Sequence, residues 1–421
     1  MSILGLFLVL FLTVIGTLWA YFRGGNDFSV FYEAWHLVLT GHGDQIYRVS
    51  PDRFLYSPGF AWLLAPLGLV SKEIALGIWC AAKIWVVFFL IKKLSEPWQS
   101  DSSQNSGQNS GQINDQRLFV LGITSWGVIL LAKPILIDFS YGQVNLFILG
   151  ACVWGLIGHF DKKSNLSWDI CRWIVLTFAA VAKLYPLPLL LVPWSIKRGI
   201  KKKKLVAERF AIVLAVFICF ILPIFSQGWD GTCQLLLSWR DAVLAKGLPL
   251  ESHNQSFIAL LYHYLSGHPT SILAEGARPL LFGQAWLSQD QIFLLSLSWT
   301  LVTLGVILGW ILVGEIHLFY SWIPVLIGLL IVPSHLIWKP YFVMSIPLSV
   351  CVFHQSIIYR VKILYFFLLA FFIGVNLTGF DFIGHHWAAH VEAASFLLVL
   401  HLILIFTVIR MNGGSSKSPV L

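Results

Sequence analysis

The chain has 421 residues, of which 57% are hydrophobic and only 11% are charged, against roughly 25% charged residues in soluble domains. This balance excludes a soluble globular protein, because a fold of this size could not hide so much apolar surface from water. The formal net charge of +8 does not indicate nucleic-acid binding, since the basic residues cluster at the ends of apolar segments. Those segments are continuously apolar rather than alternating, which favours membrane-spanning α-helices over a β-barrel.

The apolar segments predict the number of membrane spans. A span needs about 20 apolar residues, with a range of roughly 17–25. We therefore predict an all-α polytopic membrane protein with about 12 transmembrane helices, in a range of roughly 10–13. The predicted spans lie near 3–22, 73–91, 118–132, 142–160, 172–183, 185–196, 205–225, 291–313, 316–333, 340–353, 362–376 and 393–410. The pair at 172–183 and 185–196 could instead be one broken helix or a re-entrant hairpin, because Pro186, Pro188 and Pro193 favour a break.

Loop charge predicts the orientation. Lys and Arg concentrate in the loops at 92–117, 161–171, 197–204 and 354–362, and an excess of these residues marks cytoplasmic loops. We therefore predict a plasma (inner) membrane protein with both termini in the cytoplasm. A single membrane domain, 1–421, then has outer loops at 23–72 and 226–290, a low-complexity cytoplasmic loop at 95–116 and a cytoplasmic tail at 411–421.

The first outer loop contains two further helical patterns. Apolar residues at 28–39 fall at helical spacing, and the apolar run at 60–70 is too short to span a bilayer. Both patterns predict interfacial helices.

An acidic residue follows the first span, in the stretch RGGNDFSVFY at 23–32. A carboxylate just outside a transmembrane helix lies where a lipid substrate presents its head group, and there Asp27 could act as general base on an acceptor hydroxyl. The alternative is that Asp27 only caps the helix that begins at Phe28. The position alone favours neither interpretation.

Five stretches, taken in order, resemble glycosyltransferase family 87. They are DFSVFY at 27–32, the segment 41–47 followed by FLYSP at 54–58, YGQVN at 141–145, KLYP at 183–186 and NQSF at 254–257. A sixth segment, SHLIWKPY at 334–341, resembles the Ser-Pro-x-x-Trp segment of the family. Here His335 replaces the usual proline, and Lys339 and Tyr341 stand where mannosyltransferase members often carry Asp and His. The resemblance therefore leaves the sugar open, as mannose or another hexose or pentose.

The resemblance implies a GT-C-like fold, a polyprenyl-phosphate-linked sugar as donor, and a glycolipid or glycan acceptor at the outer face of the membrane. It also implies that Asp27 is the catalytic base of an inverting transfer. The candidate contacts to sugar or acceptor in these motifs are Tyr32, Tyr56, Asn145, Tyr185, Trp338 and Tyr341. Gln143 is a candidate by its position between spans, and Asn254 and Gln255 are candidates because amides can donate to sugar hydroxyls and accept from them.

Two lysines are candidates to bind the donor phosphate. Lys339 ends an outward-reaching span and Lys183 lies beside a proline break, and ionisable residues within a membrane are costly and usually functional. The alternative for each is that its ammonium group snorkels to the lipid head groups. Asp138 is a further candidate sugar or acceptor contact between spans, with a role in a loop turn as its alternative, and Asn254 could equally cap a helix.

The remaining predictions concern cofactors and rival functions. His385, His386, His390 and Glu392 could bind a metal by residue type, but histidines at an outer interface are usually solvated, so we predict neither a metal nor another cofactor. The lipid-phosphate sugar would be a co-substrate, and the bilayer itself the other partner. A multi-pass transporter or lipid flippase is the main alternative, although it would favour charges buried in mid-span and two related halves. A non-catalytic scaffold is a further alternative.

Overall fold

The computed structural model describes residues 2–48, 54–103, 110–161, 165–195, 200–245, 253–265, 287–313 and 316–413. Within these ranges the regular structure is entirely helical, so the all-α prediction is confirmed. The α-helices are α1 (Ser2–Arg23), α2 (Asn26–Leu39), α3 (Pro58–Leu64), α4 (Lys72–Ser103), α5 (Ser110–Ile129), α6 (Ala132–Tyr141), α7 (Asn145–Phe160), α8 (Leu166–Ala182), α9 (Lys202–Ala245), α10 (Phe257–Leu265), α11 (Gln289–Val313), α12 (Ile316–Leu329), α13 (Ile346–Tyr359), α14 (Lys362–Asn376), α15 (Phe380–Ala393) and α16 (Phe396–Gly413). Short 3-10 helices lie at Gly43–Gln45, Ala65–Leu69, Leu187–Trp194 and Lys339–Ser345.

Within the described ranges, five helices are long and apolar enough to cross a membrane, or up to seven spans if each sharply bent pair is counted as one. The bent pairs are α5 with α6, at 70°, and the end of α15 with α16, at 51°. Several other predicted spans correspond to apolar helices that are too short for this criterion, such as α7 and α14. The count of about twelve therefore stays a prediction, as does the GT-C-like arrangement.

The predicted break between 172–183 and 185–196 is present. Helix α8 ends at Ala182, and Lys183 adopts an extended backbone with φ −134° and ψ 122°. The chain then continues as the 3-10 helix Leu187–Trp194, in which prolines interrupt regular α-helical hydrogen bonding. Lys183 is thus presented at a helix end rather than along a helix side.

The first predicted outer loop folds as expected into two short α-helices, α2 and α3. Between α1 and α2 the chain turns sharply at Gly24 and Gly25, both in the left-handed region with φ 66° and 56°, which glycine adopts without steric penalty. This turn places Asp27 in the first turn of α2. That both short helices lie in the membrane interface stays a prediction.

The second predicted outer loop, 226–290, begins with more helix than expected. The sequence ends the preceding span at 225 because polar residues follow, yet α9 resumes after a break at Gly228, with φ 69°, and runs to Ala245. This second part packs through Leu235, which is 2% exposed, and Trp239 donates a hydrogen bond to the carbonyl oxygen of Leu55 at 3.0 Å. The rest of this loop is described only at 253–265 and 287–290.

Two other predicted segments fall partly outside the described residues. In the low-complexity segment 95–116, α4 extends to Ser103 and α5 begins at Ser110, whereas 104–109 are not described. In the predicted tail, α16 extends to Gly413, and 414–421 lie outside the described residues.

An aromatic cluster fixes α2 against its neighbours. Phe28 and Phe31 of α2 are almost fully buried. The Phe31 ring meets the Tyr56 ring edge-on at a centroid distance of 4.8 Å, and Trp79 of α4 lies 5.9 Å from Phe28. Such aromatic pairs contribute roughly 0.5–1.5 kcal/mol each beyond their buried area. They hold the first turn of α2, and with it Asp27, close to the end of α6.

Candidate active site

A turn at the end of α6 places the side chain of Gln143 next to Asp27. Gly142 ends this helix in the left-handed region, with φ 69°, and the backbone N–H of Gln143 donates to the carbonyl oxygen of Asp138 at 2.9 Å. A Cβ atom on Gly142 would lie only 2.5 Å from the Cβ of Phe28, so the turn packs directly on α2. From this position the side-chain amide of Gln143 donates a hydrogen bond to Oδ2 of Asp27.

Asp27 does not cap α2. The helix begins at Asn26, and its cap residue is Gly25, with no side-chain hydrogen bond to the cap. The capping alternative is therefore wrong. As an acid in the first turn Asp27 is stabilised by the helix dipole, and its half-buried carboxylate contacts Gln143. Its role as a base stays a prediction.

Lys183 contacts the oxygen of the same Gln143 amide whose nitrogen contacts Asp27. Its ammonium donates to Oδ1 of Asn145 at 2.8 Å and to Oε1 of Gln143 at 3.4 Å. It also lies 3.9 Å from the ring centroid of Tyr341, within the range of a cation–π interaction. One glutamine side chain thus contacts both the carboxylate and the ammonium group.

Three tyrosines lie on the Lys183 side of the site. The rings of Tyr185 and Tyr341 lie 5.9 Å apart, and the ring of Tyr56 lies 5.8 Å from the Lys183 ammonium. Burial raises the pKa of Tyr56 well above its ordinary value, and the charge of Asp27 raises it further, so this phenol stays protonated. The Tyr185 hydroxyl is buried and has no hydrogen-bond partner within the described part of the chain. Because a buried polar group without a partner is destabilising by roughly 1–3 kcal/mol, this hydroxyl suits a ligand.

Asp138 forms a buried ion pair with Lys83, a residue that was not predicted from the sequence. Lys83 of α4 donates to Oδ1 of Asp138 at 2.8 Å and to its carbonyl oxygen at 2.6 Å, and both side chains are fully buried. Asn145 donates to Oδ2 of the same carboxylate at 3.1 Å. Asp138 therefore supports the site from within α6. A lone lysine in the apolar run of the second predicted span was a signal for Lys83.

Lys339 belongs to a second polar cluster. Its ammonium and the imidazole of His253 both pair with the carboxylate of Glu392, and the side chain of Gln255 donates to the backbone oxygen of Glu392 at 2.6 Å. Glu392 thus contacts a lysine and a histidine from other parts of the chain. Among the described residues, no group of three His, Cys, Asp or Glu has the geometry of a metal site.

Two of the remaining predicted contacts, Asn254 and Tyr32, bind backbone groups. The amide of Asn254 binds backbone groups, accepting from the N–H of Ile337 at 3.0 Å and donating to the oxygen of His335 at 2.9 Å. The Tyr32 hydroxyl donates to the oxygen of Val70 at 2.9 Å. Trp338 immediately precedes the 3-10 helix that carries Tyr341. The structure thus brings together eight of the predicted residues, namely Asp27, Tyr56, Asp138, Gln143, Asn145, Lys183, Tyr185 and Tyr341.

Comparison with known families gives one match. The model of a family described as glycosyltransferase family 87 matches residues 54–333, which is more than half of the chain. No curated protein and no solved structure matches. The matched segment contains Gln143, Asn145 and Lys183, whereas Asp27 precedes it and Tyr341 follows it.

Proposed function

Because the chain belongs to glycosyltransferase family 87 and is a membrane glycosyltransferase, we propose that it transfers a sugar from a polyprenyl-phosphate carrier to a glycolipid or glycan hydroxyl. One observation carries the proposal. A single side chain, Gln143, contacts both Asp27, which would accept a proton, and Lys183, which would neutralise a phosphate. A transporter or flippase would not require this arrangement of acid, amide and cation.

Asp27 acts as the general base. Its carboxylate takes the proton of the acceptor hydroxyl while the acceptor oxygen attacks the anomeric carbon of the donor. The bond between that carbon and the phosphate oxygen breaks in the same displacement, so the configuration at the anomeric carbon inverts. The hydrogen bond from Gln143 orients the carboxylate.

Lys183 receives the leaving group. The phosphate departs with the electron pair of the broken bond, and an ammonium group placed beforehand stabilises this developing charge. Lys183 is held by Asn145 and by the Tyr341 ring, so it needs little reorganisation. Lys339 is the second candidate for this role, since Glu392 already neutralises its charge.

The tyrosines bind the transferred sugar. The protonated Tyr56 phenol and the buried Tyr185 hydroxyl can donate to sugar hydroxyls and accept from them, while aromatic faces pack against the ring. A lipid monophosphate carries less charge than a nucleotide diphosphate, so the scheme needs no metal ion and no other cofactor. The site would face the outer side of the plasma membrane, as the loop charges predict.

The choice of donor is tested directly with purified protein in nanodiscs. Radiolabelled sugars are supplied either as polyprenyl phosphates or as nucleotide diphosphates, with a membrane extract as acceptor source. We expect label to enter the glycolipid or glycan fraction only from polyprenyl phosphates. Transfer from a nucleotide sugar at an equal or higher rate would overturn the proposal.

A further inference from the structure

Lys83 is unusual for a lysine in a membrane helix. It lies within the long apolar helix α4, its side chain is fully buried, and its partner Asp138 is fully buried as well. Removing two charges from solvent is unfavourable, and a buried pair often stabilises a protein less than well-packed apolar residues would. A fully buried ion pair on an apolar helix therefore indicates a role other than stabilising the fold.

The Lys83–Asp138 pair is connected through Asn145 to Lys183, one of the proposed reacting groups. Asp138 accepts from the Nδ2 of Asn145, and the Oδ1 of the same Asn145 accepts from Lys183. Because an amide has one donating and one accepting end, the charge of Asp138 determines which end of Asn145 faces Lys183. Lys83 in turn fixes Asp138 through both its carboxylate and its backbone oxygen.

The Lys83–Asp138 pair also determines which lysine neutralises which carboxylate in the site. Two carboxylates are each linked to Lys183 by one amide side chain, Asp27 through Gln143 and Asp138 through Asn145. Without Lys83, the Asp138 carboxylate would be left buried without its paired cation, and Lys183 lies only one amide side chain away. Lys183 would then be drawn to Asp138 and away from a phosphate.

We propose that Lys83 is a positioning residue for the transfer: by closing an ion pair with Asp138, it orients Asn145 and keeps Lys183 available for the donor phosphate. The inference rests on the proposed function, because it assumes that Lys183 meets the phosphate. Lys83 itself touches neither substrate nor the reacting atoms.

Two single variants and one double variant test this role. Lys83→Met removes the charge, Lys83→Gln keeps a donor to Asp138 without the charge, and Lys83→Met/Asp138→Asn removes both charges. We expect each single variant to raise the KM for polyprenyl-phosphate sugar by about 10- to 150-fold, with a smaller effect on kcat, the loss expected for one contact to a charged group. In the double variant the competing charge is gone and the amide introduced at position 138 can still accept from Asn145, so we expect KM to return to within about threefold of wild type.

A control on the same helix separates this role from general damage to α4. Lys93 forms a surface ion pair with Glu96 at 2.8 Å, with side chains 29% and 40% exposed, and Lys93→Met should leave KM unchanged. A purely structural role of Lys83 predicts less folded protein, by fluorescence-detected size exclusion, with wild-type KM in the folded fraction. That result in either single variant would overturn the proposal.

The exchanged pair Lys83→Asp/Asp138→Lys decides if neither single variant folds, because it keeps an ion pair between the two positions but puts the cation next to Asn145 and Lys183. A folded exchanged variant with a wild-type KM would overturn the proposal, and a KM raised tenfold or more would support it. Failure of the proposed function is distinguishable, since the wild type itself would then not use the polyprenyl-phosphate sugar.

Discussion

The side-chain amide of Gln143 donates a hydrogen bond to the carboxylate of Asp27, across 116 residues of sequence. The same side chain accepts from Lys183, so an acid near the N-terminus and a lysine at a break in the middle of the chain meet at one amide. Neither contact is local, and both depend on the turn at Gly142. The predictions below test the groups that this turn brings together.

Asp27→Asn should abolish transfer without unfolding the protein. Asn is nearly isosteric and can still accept the hydrogen bond from Gln143, but it cannot take a proton at neutral pH. We expect the transfer rate to fall by roughly 10²–10⁴-fold, the usual contribution of general base catalysis. The measurement is initial rate with radiolabelled polyprenyl-phosphate sugar, normalised to folded protein.

Asp44→Asn is the matched control, because Asp44 is an exposed acid in the same predicted outer loop. It should retain the wild-type rate. An Asp27→Asn variant that transfers sugar as fast as wild type would remove Asp27 from the mechanism.

Lys183→Met should weaken the use of the donor more than Lys339→Met. Lys183 is held between Asn145 and the Tyr341 ring beside the proposed base, and loss of its contact to phosphate should raise the donor KM by about 10- to 150-fold. In Lys339→Met the main effect should be on stability, because Glu392 loses its partner lysine. KM and thermal unfolding of the two variants are compared in the same detergent.

The loss of stability expected for Lys339→Met has its own control. Lys339→Met/Glu392→Gln should recover stability, since no buried carboxylate is left without a cation. The reverse pattern, a raised KM in Lys339→Met and an unchanged KM in Lys183→Met, would transfer the phosphate-binding role to Lys339.

Cysteine labelling should place the two ends of α9 on opposite sides of the membrane. In a variant without native cysteines, a cysteine replaces Arg240, whose side chain is 61% exposed, or Lys202, which is also exposed. The loop charges predict that a membrane-impermeant maleimide added to intact cells modifies only position 240. Labelling only at position 202 would invert the topology and move the proposed site to the cytoplasmic face.

Gly142→Ala should destabilise the protein and reduce transfer together. The left-handed conformation alone is unfavourable for a residue with a Cβ by roughly 1–2 kcal/mol, and the added atom would also clash with Phe28. Gly305→Ala in α11 is the control, because within the described part of the chain, apart from its chain neighbours and the backbone of its own helix, no atom lies within 4 Å of the added Cβ. Thermal unfolding and transfer rate are measured for both. Wild-type values for Gly142→Ala would show that the turn tolerates a side chain and does not fix Gln143.

The sequence predicted much of the site because its residues lie in short ordered motifs. Gln143 and Asn145 follow one helix and Lys183 follows another, and both positions belong to short motifs that are visible in the sequence alone. Lys83 was missed although a single lysine in an apolar run is a signal. Nothing near it in the sequence indicates its partner, because Asp138 lies 55 residues away.

Glu392 illustrates the same limit. The sequence placed it with the neighbouring histidines at 385, 386 and 390, whereas its side chain pairs with Lys339, 53 residues away, and His253, 139 residues away.

The continuation of α9 beyond residue 225 was missed for a different reason. Polar residues at 226–230 end an apolar run, but they do not end α9, which resumes after Gly228 because its second part packs on other elements.

The close packing of Gly142 on Phe28 has a consequence for selectivity. The turn that carries Gln143 and the helix turn that carries Asp27 touch with no space between them, so neither can shift without displacing the other. Under the proposed function, the point at which an attacking oxygen loses its proton to Asp27 would therefore be set before any substrate arrives. An acceptor with several equivalent hydroxyls would then react at the one that its own shape brings to this point, so that regioselectivity would originate in backbone packing as much as in side chains that touch the sugar.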